Sequence, residues 1–108
     1  MQLDGQMMIL AHTNDLAATL ALIDRHGAAS ATLSVQRYGH EMALELLCPP
    51  HVGRDAALAI GGELANAPMC REVTIKLLRR VDEGRPGAGY RLEELASWAP
   101  IHDWRAAA

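Results

Sequence analysis

Between Met7 and Arg79 the spacing of apolar residues switches from strand-like to helix-like and back, in the order β, α, β, β, α, β. Met7-Met8-Ile9-Leu10-Ala11 is a continuous apolar run too short for a helix, which reads as a central strand buried on both faces. Thr13, Asn14 and Asp15 then offer N-cap chemistry, Leu16, Leu20 and Ile23 follow at helical spacing, and Gly27 supplies a stop, so a helix is predicted over 15–26. From Ala31 to Tyr38 the pattern alternates, with Leu33 and Val35 on one face and Thr32, Ser34 and Gln36 on the other, as in a half-buried edge strand. Tyr38-Gly39-His40 is a tight connection into Glu41 to Cys48, whose core face carries Met42, Leu44, Leu46 and Cys48, and the two strands are expected to form a hairpin. Pro49-Pro50 ends that strand. An Ala-rich helix is predicted from Arg54 to about Ala65, with Ala57, Ile60 and Leu64 as its stripe. The Gly61-Gly62 pair inside it disfavours helix by roughly 1 kcal/mol per glycine, and suits a helix lying close on a sheet. Val73, Ile75 and Leu77 alternate with Thr74 and Lys76 as the last strand.

The remainder of the chain breaks this rhythm. Asp82 to Gly89 holds three glycines and a proline and reads as a flexible link. Tyr90 to Trp98 places Leu92, Leu95 and Trp98 on one stripe with Glu93 and Glu94 opposite, a short amphipathic helix stopped by Pro100. The organisation expected is therefore one domain over 1–81, a linker over 82–89 and a C-terminal tail over 90–108. Two right-handed β-α-β crossovers put both helices on one face of a four-stranded antiparallel sheet of order 4-1-3-2. That is an α+β, ferredoxin-like βαββαβ plait with a short C-terminal helix added. Its other face is uncovered, and Leu47 and Leu78 on it call for a cover from the tail or from a second copy. Thr32, Ser34 and Gln36 on the edge strand, with Leu92, Leu95 and Trp98 on the tail, are the interface residues this implies, and a homodimer is the expected assembly.

Composition narrows the function classes. In 108 residues there is no Phe, and only two Trp and two Tyr, so Leu, Ile, Val, Met and Ala must fill the core. A formal charge of −3 with Lys76 as the single lysine gives no field for a polyanion, and a sheet-face RNA reader would need aromatics on its strands, so nucleic acid is not an expected partner. There is neither a basic segment followed by an apolar stretch at the start nor a run of about 18 apolar residues, so no membrane partner is expected and the cytoplasm is the default location. Cys48 and Cys70 match no disulfide framework or zinc spacing, and the five histidines form no metal-binding pair, so no cofactor or metal is implied.

Three clusters could carry chemistry. His12, Thr13, Asn14 and Asp15 sit where the first strand ends and a helix begins, so a small ligand is sought there first; the alternative is that Asn14 or Asp15 simply caps the helix. Cys48-Pro49-Pro50-His51 places a thiol and an imidazole near the second helix, with a packed Cys48 as the simpler reading. His102-Asp103-Trp104 lies near the end of the chain.

The strand Met7 to Ala11, the helix running Leu16-Ala17-Ala18-Thr19-Leu20 through Arg25-His26-Gly27, and the hairpin Leu33 to Leu46 together resemble an ACT-type regulatory domain, over residues 7–78. The resemblance implies a dimeric regulatory fold. In ACT domains an Asp-x-Pro-Gly-like turn at the first strand–helix junction brings an amino-acid ligand to the backbone. His12-Thr13-Asn14-Asp15 stands there instead, so the resemblance implies fold and dimer more than that ligand. The expected function is a non-catalytic regulatory or interaction module, a homodimer that senses a small metabolite or docks on a larger enzyme or transporter. The alternative is a cofactor-free enzyme of isomerase or proton-transfer type, with His12 or His51 as general acid or base. A third is a metal-binding accessory protein.

Overall fold

The computed structural model describes residues 5–28, 33–81 and 89–98. Along them run β1 (Met7–Thr13), α1 (Leu16–Arg25), β2 (Leu33–Tyr38), β3 (Glu41–Leu47), α2 (Arg54–Asn66), β4 (Cys70–Val81) and β5 (Gly89–Trp98). All strand pairings are antiparallel, in one five-stranded sheet of order β2-β3-β1-β4-β5.

The four-stranded ferredoxin-like plait with a C-terminal helix does not form, because Gly89–Trp98 is a strand that extends the sheet beyond β4. The helical reading of this segment fails for a physical reason. Opposite Ile75 and Lys76, β5 carries one extra residue, Leu95, between Ala96 and Glu94. Such a bulge breaks strict alternation, so Leu95 and Trp98 both reach the core at a helix-like spacing of three although the backbone is extended, and Leu92, opposite Leu78 on the other face, only continues that spacing in the sequence. Nine residues also cannot hold a helix alone in water, whereas the open edge of β4 offers a full ladder of hydrogen bonds. The linker expected at 82–89 falls on residues outside those described, except for Gly89, which begins β5.

Each element has a local cause. In β1, Met7, Ile9, Ala11 and Thr13 are buried, while Met8, Leu10 and His12 on the opposite face are half-buried. Asp15 caps α1, its Oδ1 accepting the Ala18 amide at 3.1 Å. Gly27, at φ 70, closes α1 in a Schellman arrangement, with the Gly27 amide donating to the Asp24 carbonyl at 2.9 Å and that of Ala28 to the Ile23 carbonyl at 3.3 Å. Gly39, at φ 64, occupies the first central position of the two-residue β2–β3 turn, where a type II′ hairpin calls for glycine.

One core lies between the sheet and both helices. It joins Ile9, Leu44, Leu46, Val73 and Ile75 of the strands to Ile23 of α1 and to Ala57, Ile60 and Leu64 of α2. Here Gly61 permits a close approach, since a Cβ on it would lie 2.6 Å from Cζ3 and 2.7 Å from Cη2 of Trp98, and 2.9 Å from Cγ1 of Ile75. The missing side chain lets the indole slot between α2 and the sheet. At Gly62 the same Cβ would meet nothing. The opposite face of the sheet carries no helix among the described residues; there Met8, Leu10 and Leu47 stay half-buried and Glu45 is exposed.

Candidate functional site

The loop from His12 to Asp15 does not act as one cluster, because alternation along β1 sends neighbours to opposite faces. Thr13 points into the core, where its hydroxyl accepts the Asp15 amide at 3.0 Å and lies 2.7 Å from that of Thr19. The Thr19 hydroxyl donates to the Asp15 carbonyl at 2.8 Å and lies 3.4 Å from Cys70 Sγ. Asp15 is occupied as the α1 cap, and the Asn14 amide donates to the Met69 carbonyl at 3.0 Å while the residue itself is exposed. Thr13 and Asp15 thus fix the strand-to-helix corner, and His12 faces the helix-free side of the sheet.

There His12 meets three charged residues to which the sequence drew no notice. Its Nδ1 is 2.5 Å from Glu41 Oε1, and its Nε2 is 3.5 Å from Glu72 Oε2. Glu41 accepts from Arg71 as well, with Nη2 at 2.7 Å from Oε1 and 2.9 Å from Oε2, and Nε at 3.1 Å from Oε1. Arg71 Nη1 is 3.6 Å from Glu72 Oε1. The Glu41 and Arg71 side chains are mostly buried, those of His12 and Glu72 accessible. Burial alone would raise the Glu41 pKa; the hydrogen bonds and charges of Arg71 and His12 outweigh it and hold the carboxyl below its ordinary 4.5.

A bulge in β4 builds this cluster. Leu10 pairs with Thr74 and His12 with Arg71, so Glu72 and Val73 together oppose Ala11. Glu72 takes φ 53, left-handed backbone that residues with a Cβ seldom adopt. Without the bulge, Arg71 would share the inward face of Val73. With it, Cys70 and Val73 both stay buried and the guanidinium turns out beside His12. The sequence carried a signal, the spacing of three between Cys70 and Val73 just before regular alternation begins.

The two other histidine contacts join elements on the helix side. Nε2 of His26 is 2.6 Å from Glu63 Oε2, tying α1 to α2, and Nε2 of His51 donates to the Gly27 carbonyl at 2.9 Å. Cys48 and Cys70 are buried free thiols, and burial pushes Cys48 up to about 11 and Cys70 upward as well, the opposite of a reactive thiolate. Among the described residues no group of three His, Cys, Asp or Glu is placed to hold a metal ion. His12 illustrates why, as its two nitrogens face different carboxylates. No helix among the described residues is long and apolar enough to cross a membrane.

Of the expected interface residues, Ser34 and Gln36 are exposed on β2, and Thr32 lies outside the described residues. Leu92 is exposed opposite Leu78, whereas Leu95 and Trp98 pack against the core of their own chain, so the tail residues do not form one stripe. His102, Asp103 and Trp104 lie outside the described residues.

Comparison with protein-family models, with curated proteins and with solved structures finds no match, so the likeness to ACT domains rests on the sequence pattern alone.

Proposed function

We propose that this chain is a non-catalytic interaction module that works as a homodimer and docks through the surfaces its own helices leave uncovered. What supports the reading is the state of β2. It sits at the edge of the sheet, Ser34 to Tyr38 are all exposed, and Val35, on the helix side beside the buried Leu44, is itself 37% exposed. A small effector, if the module takes one, meets it at His12 and Glu72, the accessible half of the charged cluster. Sedimentation equilibrium of the purified chain at micromolar concentrations tests the reading: a mass rising to twice that of the chain is expected, and one chain mass at every concentration overturns it.

A second reading has one observation in its favour. Glu41 on Nδ1 of His12 fixes the ring as a carboxylate does in a proton-transfer dyad, leaving Nε2 toward solvent and Glu72. On that reading His12→Ala abolishes turnover of a carbon-acid substrate, and unaltered turnover in this variant excludes it.

A further inference from the structure

The two edges of the sheet differ in a way that selects one of them. The β5 edge bears the Leu95 bulge and the charges of Arg91, Glu93 and Glu94, devices that discourage pairing with another strand. The β2 edge has no bulge, no proline and a single charge, Arg37. Of the three large exposed hydrophobic residues among those described, two lie on it, Val35 at 37% and Tyr38 at 58%.

The hairpin also determines which β2 groups face outward. With a two-residue turn at Gly39-His40, Tyr38 and Glu41 form the first hydrogen-bonded pair, and alternation gives Gln36 and Ser34 the same role. The amides and carbonyls of Leu33, Val35 and Arg37 therefore point away from β3.

Resting on the dimer reading above, we infer that β2 pairs with β2 of a second copy, antiparallel, about a two-fold axis at Val35. Outward-facing residues must meet outward-facing residues, and in this register Val35 faces Val35, Leu33 faces Arg37, and Ser34 faces Gln36. No like charges oppose. The exposed valines meet at the axis on the helix side, the polar Ser34 and Gln36 meet on the other face, and the two sheets become one ten-stranded sheet, five strands from each copy.

Amide hydrogen exchange with sedimentation on the same samples tests the register. The expected result is a dimer in which the Val35 and Arg37 amides, which have no partner strand among the described residues, are protected at high concentration and exchange freely on dilution. Val35→Glu, which sets two carboxylates opposite each other, is expected to raise the dimer dissociation constant about tenfold or more while the thermal unfolding of the monomer is retained. The double variant Ser34→Lys/Gln36→Glu is expected to lower that constant, and it keeps an attractive partner for Glu45 within the hairpin. A dimer with unprotected Val35 and Arg37 amides overturns the register and leaves the dimer reading standing. A monomer overturns both.

Discussion

At the scale of single residues, Gly61 and Glu41 decide most. Gly61→Ala gains helix propensity of about 1 kcal/mol but drives a methyl group into Trp98 and Ile75, and overpacking of this kind costs about 1–3 kcal/mol. Gly62→Ala makes the same propensity gain in open space. Chemical denaturation should show the first variant less stable than the parent and the second more stable by about 0.5–1 kcal/mol; equal effects would mean that the indole does not lie against α2. Glu41 supplies the pH dependence. Its carboxyl is held below 4.5, so its contribution is complete above the unfolded value and is lost as pH falls through the folded one. Glu41→Gln, which strips charge from a mostly buried pair with Arg71, should cost about 1–3 kcal/mol at pH 7. The gap between variant and parent should shrink as pH drops below about 4.5, and a gap that stays constant down to pH 2.5 would contradict the assignment.

At the scale of elements, β5 is the finding that reorganises the chain. Trp98 reaches from its end to Gly61 of α2, and the strand covers the flank of β4, where Arg79 sits opposite Arg91 and pairs with Glu93. Trp98→Ala should lower stability by about 2 kcal/mol, less than a fully buried tryptophan because the residue is half-exposed, and a change below 0.5 kcal/mol would place the indole in solvent. The elements before β4 were legible because each has a clean period or a compact apolar run, and several have a chemical stop: Asp15 and Gly27 at the ends of α1, Gly39 in the hairpin, Pro49-Pro50 after β3. The segment at β5 and the cluster at His12 were not, and for the same cause. Each depends on a bulge, at Leu95 and at Glu72, and one extra residue converts a spacing of two into three, which a periodicity argument takes for helix or for noise. Glu41, Arg71 and Glu72 come from strands distant in sequence, so only the sheet register brings them to His12.

At the scale of the whole molecule, both helices pack on one side of the sheet, and among the described residues β2 is left as an edge strand exposed from Ser34 to Tyr38. In the two-fold arrangement that strand is no longer an edge. The arrangement leaves the helix-free face and the accessible His12 and Glu72 of each copy for whatever the module docks on. The most direct measurement is oxidation of Val35→Cys, followed by non-reducing electrophoresis. The native thiols Cys48 and Cys70 are buried, so the introduced thiol is the accessible one. Across a hydrogen-bonded antiparallel pair the Cα atoms lie about 5.5 Å apart, within disulfide range. A covalent dimer is expected from Val35→Cys and none from Arg37→Cys, whose partner is Leu33. Monomer from both variants, or equal cross-linking at the two positions, would contradict it.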